Sequence, residues 1–174
     1  MAKPIIVVEY DPTWPDTFES LKKRVAQALG DVAVAIEHVG STSVPGLAAK
    51  PIIDMDVVVP TSEDIPTAIE RLADIGYIYQ GNLGIEGREA FIAPPNAPDH
   101  HLYVCPQDSR ELRRHIRFRD YLRRHPDAAK RYADLKRLLA ERHRDDRAAY
   151  TQAKTEFITE ILRIAEEEDA GLSQ

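Results

Sequence analysis

At 174 residues the chain can bury a core without covalent staples, and 43% hydrophobic against 30% charged residues excludes a disordered or fibrous protein. The single cysteine, Cys105, excludes an internal disulfide framework, and no apolar run has the length of a signal peptide or a membrane span, so a cytoplasmic protein with no membrane partner is expected. The net charge of −6 divides into −9 over residues 1–108, +7 over 109–147 and −4 over 148–174, which suggests internal pairing or a local anion site and makes nucleic acid an unfavoured partner.

In chain order, the β-branched run IIVVEY predicts a strand ended by Asp11-Pro12. Pro15 suits the first turn of a helix from Trp14 to Leu29, with Phe18, Leu21, Val25 and Leu29 at helical spacing and Gly30 as the stop. Residues 32–39 are β-like, residues 41–47 form a short turn or helix, and Pro51–Val59 is the clearest strand of all. A helix is predicted from Ser62 to Ile75, closed by Gly76, and then a β-prone segment and a loop marked by Gly81, Gly84 and Gly87. Two more strands, 89–93 and 101–105, flank the turn-rich PPNAPD. From Ser109 onward the pattern is helical, over 110–124, 127–144 and 148–168, and the tail EEEDAGLSQ reads as frayed. The expected fold is α+β: a mixed sheet core over residues 1–108 with a helical C-terminal part over 109–174, together one domain.

The period of two places Ile52, Asp54, Asp56 and Val58 on one strand face and Ile53, Met55 and Val57 on the other. Same-face Cβ atoms two residues apart are roughly 6.5–7 Å from one another, so two leaning carboxylates could share a hard cation such as Mg²⁺. Without a cation or a proton they would repel. The Gly40-Ser41 turn precedes this strand; Ser41 there suits either a helix cap or a donor to a phosphate oxygen. His38 suits orienting the turn, and Lys50 suits either a phosphate contact or a solvated position before Pro51. His100 and His101 point to opposite faces of a strand, so one at most reaches the site, and His101 is the preferred one. Arg110, Arg113, Arg114 and Arg117 form one helical stripe, Arg119 and Asp120 read as a structural pair, and Tyr150 and Lys154 lie one turn apart.

The combination YDPTWP, HVGSTSVPGLAAKPIID, Gly76-Tyr77, Arg88, HHLYV, FRDYLRRHP and YADLKRLLAERH resembles the GrpB family of the nucleotidyltransferase superfamily, whose fold is related to DNA polymerase β, over nearly the whole chain. The resemblance implies a nucleotidyltransferase-like sheet with Asp54 and Asp56 as catalytic Mg²⁺ ligands. It also implies that Gly40, Ser41 and Thr42, with Lys50, Arg88 and Lys154, bind nucleotide phosphates. The implied activity is transfer of a nucleotidyl group from a nucleoside triphosphate to a small acceptor, with nucleotide and acceptor as the partners. The chain departs from the superfamily at the third carboxylate: the later strand reads His101-Leu102-Tyr103-Val104, leaving Asp99 to reach in or His101 to substitute as a catalytic residue. That departure keeps open an alternative, a nucleotide- or coenzyme-binding module without turnover, as in the GrpB-like unit appended to some dephospho-coenzyme A kinases.

Overall fold

The computed structural model describes residues 6–172. Helix α1 (Trp14–Leu29) turns Trp14, Phe18, Leu21, Val25 and Leu29 inward, and Gly30 ends it with φ +53°. Strands β1 (Ala35–Val39), β2 (Ile53–Val59), β3 (Ile78–Gly81), β4 (Glu89–Ile92) and β5 (His100–Pro106) form one sheet in the order β1-β2-β5-β4-β3. Among the described residues only the β2–β5 pair is parallel. The crossover between them holds α2 (Ile65–Ala73), so β2 and β5 lie side by side at the centre.

The two faces differ because β2 alternates. Ile53, Met55, Val57 and Val59 pack with Leu102, Val104 and Phe91 under α1 and α2, forming the main core. The opposite face carries Asp54, Asp56 and Val58, and α3 (Arg110–Arg124) crosses it through Leu112. Behind α3, α4 (Pro126–Arg142) and α5 (Arg147–Leu172) enclose a second core in which Val44, Leu47 and Ala48 meet Tyr121, Leu122, Tyr132 and Ile161. The segment just after the Gly-Ser turn is therefore buried by the helical third of the chain.

Several local expectations change. Ile5 of the predicted first strand lies outside the described residues, and among the rest Val8 alone pairs, as an isolated bridge to Ala49. Residues Gly30–Val32 close α1 as a 3-10 turn, which delays β1 to Ala35. Ser62–Asp64 is likewise a 3-10 turn, capped reciprocally by Thr61 and Asp64, and α2 begins only at Ile65. The tail expected to fray continues as helix to Leu172. Ala165 is fully buried, and ion pairs Arg117–Asp169, at 3.3 Å, and His125–Glu168, at 3.1 Å, hold this last stretch against α3 and the α3–α4 junction. Arg163 links Glu160 and Glu167 along the helix. No helix among the described residues is long and apolar enough to cross a membrane.

Candidate active site

Gly40 adopts φ +75°, a left-handed conformation that glycine enters without steric cost. A Cβ there would fall 3.0 Å from Asp54 Cγ and closer still to its Oδ2, so the missing side chain is what lets the turn lie against that carboxylate. The Gly40 carbonyl accepts from Ser43 Oγ at 2.5 Å, and His38 Nε2 bonds Thr42 Oγ1 at 2.9 Å. Burial lowers the His38 pKa to about 4, so the ring bracing the turn is neutral, and it stacks on Phe18 of α1 with centroids 4.5 Å apart. Thr42, expected at the phosphate, is instead 2% exposed with its hydroxyl on His38; its side chain braces the turn.

The Asp pair is asymmetric. Asp54 is half-buried and receives His101 Nδ1 at 2.9 Å. Asp56 is fully buried: Oδ2 receives His115 Nδ1 at 2.6 Å, and Oδ1 has no hydrogen-bond partner. His115 Nε2 lies 3.3 Å from Glu111 Oε1. An ionised carboxylate only accepts, so carboxylates at both ring nitrogens demand a proton on each. Burial opposes that charge, but the hydrogen bonds that His115 donates to Asp56 and Glu111 outweigh it and raise the His115 pKa to about 9. Burial pushes the Asp56 carboxyl upward, with His115 pulling against it. The imidazolium therefore neutralises a carboxylate that would be too costly to bury alone.

Register explains the rest of the carboxylate row. Strand β5 sets His101 beside Asp54 and Tyr103 beside Asp56, so two aromatic side chains stand where a third acid was sought. Asp99, the other candidate, meets β2 through its backbone carbonyl, which accepts from Ile53 N at 3.2 Å. His100 points to the other side, where Tyr77 Oη lies 2.7 Å from its Nε2. An additional acid, Glu111, comes from α3.

On the β1 side of the site, α4 and α5 bring up a cationic wall. Lys136 is 2% exposed and its Nζ has no hydrogen-bond partner; it stands 4.7 Å over the Tyr132 ring. Lys154 and Lys50 lie over the Tyr150 ring at 4.7 and 5.4 Å. Burial first, then repulsion from Lys154 and Lys50, lowers the Lys136 pKa to about 7, and burial with Lys50 nearby lowers that of Lys154 to about 8. A buried lysine held far below its usual pKa destabilises the free protein. In the folded state the cost is absent above the unfolded value of 10.5, grows as pH falls, and levels off below about 7. Lys136→Met is therefore expected to raise stability by about 1–3 kcal/mol at pH 7. Denaturant titration at pH 7 and pH 9.5 checks this: the gain should shrink at the higher pH, and an equal gain at both would refute the charge argument.

Gly40, Ser41, Asp54, Arg88 and Lys154 line one cleft of about 430 Å³, with Tyr103 on its floor and Glu111 and His115 from α3 on its wall. Asp56 lies beneath that floor, His101 is more than half exposed beside Asp54, and Lys50 stands behind Lys154 against Tyr150. Sequence reading did not find Glu111, His115, Tyr103, Tyr132 or Lys136. The Glu111–His115 spacing of one helical turn was the available signal, overlooked beside the neighbouring arginine stripe. Among the described residues no three His, Cys, Asp or Glu side chains converge to hold a metal. The unpartnered Asp56 Oδ1, one strand repeat from Asp54, is an arrangement that a hard cation bridging the two acids would complete.

A mixed sheet with two carboxylates on one strand face, Asp54 in the cleft and Asp56 beneath its floor, beside a Gly-Ser turn, is a nucleotidyltransferase-like architecture. The structure aligns with the Cid1 poly(U) polymerase bound to MgGTP with a TM-score of 0.56 at 13% identity, over 77% of this chain and 43% of that one, a likeness of fold. The chain belongs to the GrpB family, whose GrpB protein model matches residues 4–163. It is 41% identical over 152 residues to UPF0157 protein YqkA of Bacillus subtilis (strain 168), covering 87% of this chain but only 44% of that protein. The crystal structure of GrpB from Enterococcus faecalis aligns with a TM-score of 0.84 at 38% identity, over 94% of this chain and 98% of that one.

Proposed function

We propose that this protein is a metal-dependent nucleotidyltransferase that takes a nucleotidyl group from a nucleoside triphosphate and delivers it to a small acceptor. The observation that carries this reading is Lys136, a buried cation without a hydrogen-bond partner, set with Lys50 and Lys154 beside the Gly40–Ser41 turn. Such a cluster is stable when a polyanion occupies it. The triphosphate-bearing neighbour with the same fold, Cid1 with MgGTP, supports the ligand class.

In this reading Gly40 and Ser41 cradle the terminal phosphates, and the three lysines offset their charge. Asp54 and Asp56 would hold Mg²⁺, which supplies charge stabilisation on the reacting and leaving oxygens. His101 donates Nδ1–H to Asp54, which leaves Nε2 as the acceptor for a proton from the incoming hydroxyl. An Asp–His dyad thereby takes the role that a third carboxylate has elsewhere in the superfamily.

Thermal stabilisation by each nucleoside triphosphate, with and without Mg²⁺, tests the reading. At 100 times its dissociation constant the correct nucleotide should add about 2.7 kcal/mol. That gain should vanish in Asp54→Asn/Asp56→Asn. Absence of stabilisation by any nucleotide sinks the proposal; stabilisation without transfer to any hydroxylated acceptor favours a binding module.

A further inference from the structure

The cleft also holds two cations outside the lysine wall, Arg88 and Arg114. Arg88 precedes β4, whereas the Gly40–Ser41 turn follows β1, and β2 and β5 lie between those strands. The backbones of these two positions are three strand spacings apart, roughly 14 Å, and the Arg88 side chain folds back from there over Tyr103 of β5. Arg88 lies with its guanidinium 4.4 Å over the Tyr103 ring, its Nε is buried without a hydrogen-bond partner, and among the described residues no carboxylate forms an ion pair with it. Stacking occupies the face of a guanidinium and leaves its edge for in-plane acceptors. Arg114 lines the same cleft from α3, and Glu111, 3.5 Å from it, also feels the Arg88 charge. Asp56 feels that charge as well, but Glu111 is engaged by Arg114 and by His115 at 3.3 Å, and Asp56 Oδ2 by His115, so neither forms an ion pair with Arg88.

We propose that Arg88 and Arg114 form a second anion subsite, which holds a phosphate or carboxylate group of the acceptor while the nucleotide's triphosphate lies on the lysine wall. This rests on the nucleotidyltransferase reading and narrows it: the acceptor carries its own negative charge as well as the hydroxyl that reacts. Asp54 lies against the Gly40 turn with His101 beside it, and the cleft joins Asp54 to Arg88, so the hydroxyl of an acceptor anchored at Arg88 can reach them. The fork geometry suits an anion with two coplanar oxygens, and the Tyr103 ring fixes the guanidinium before the ligand arrives.

The test uses inorganic phosphate as the probe, titrated calorimetrically into protein saturated with Mg²⁺ and an α,β-methylene nucleoside triphosphate. Wild type should still bind phosphate. Arg88→Gln should weaken phosphate at least 10-fold and shift the nucleotide dissociation constant less than 2-fold; Arg114→Gln should show the same pattern more mildly. Thermal unfolding of both variants reports whether they fold. Failure of phosphate to bind the nucleotide-saturated protein overturns the proposal. So does an Arg88→Gln variant that loses nucleotide and phosphate equally, because Arg88 would then serve the nucleotide. If wild type binds no nucleotide, the nucleotidyltransferase reading fails and the acceptor assignment goes with it, whatever phosphate does at Arg88.

Discussion

His115→Leu is expected to cost about 3–5 kcal/mol of stability, the largest loss of any single replacement on the sheet's charged face. Among the described residues the imidazole is the sole hydrogen-bond partner of the 0% exposed Asp56 carboxylate, and Asp56 Oδ1 already lacks a partner. Leucine would fill most of the space and remove the compensating charge, stranding an acid in a dry site. Burial raises the Asp56 carboxyl even with His115 present, and its removal would raise it further. A group whose folded pKa is raised is favoured at low pH and penalised once it ionises. The deficit of the variant should therefore be greatest at pH 7 and shrink as pH falls toward the unfolded value of 3.8. Wild type should show the complementary trend, losing the His115 contribution as pH rises through about 9. Denaturant unfolding of His115→Leu, Asp56→Asn and the double variant measures the coupling directly. The double variant should recover at least half the loss; if the costs simply add, the ion pair is not what holds this region together.

Gly40→Ala should abolish nucleotide binding, with affinity falling at least 100-fold, and cost about 2–3 kcal/mol in stability. Two independent penalties meet at this position. The backbone sits at φ +75°, where a β-carbon is strained, and the added methyl would drive into the Asp54 carboxylate. Relief of that collision requires either the turn or Asp54 to move, and each is half of the site. Gly46 supplies the control, since it has φ +82° with nothing within 4 Å of where its Cβ would be. Gly46→Ala should therefore show the strain alone, about 1 kcal/mol, with nucleotide affinity little changed. Equal losses at the two glycines would mean that the closeness of Gly40 to Asp54 has no functional weight.

The sequence is most legible where a pattern repeats within a few residues. The alternation of PIIDMDVVV correctly divides the faces of β2, and the helical spacing of Phe18, Leu21, Val25 and Leu29 gives α1 to the residue. His100 and His101 part to opposite faces because a strand leaves them no choice. What the sequence hides is long-range. His115 meets Asp56 across 59 residues, and nothing local to either signals the other. Lys136 looks like a solvated lysine on an amphipathic helix until α5 closes over it with Tyr150 and Lys154. Thr42 looks like part of a phosphate loop because its neighbours do, yet the short 3-10 turn rotates it inward to His38. The boundaries at residues 30–35 and 62–65 shift for a smaller reason: 3-10 turns carry helix-like composition without helix length.

Two arginines of α3 give the molecule a property that neither its sheet nor its helices has alone. Arg119 reaches Glu37 and the His38 carbonyl on β1, and Arg123 places two N–H groups on the Ser43 carbonyl at 3.0 and 2.8 Å. The Gly40–Ser41 loop is thereby tied at both ends to a helix some 80 residues away in the chain. Opening the loop means lifting the helix, so both should unfold in one cooperative step, their amides exchanging with solvent at a common rate. A site wired in this way cannot loosen by degrees as the protein warms; it keeps its geometry until the whole wing lets go.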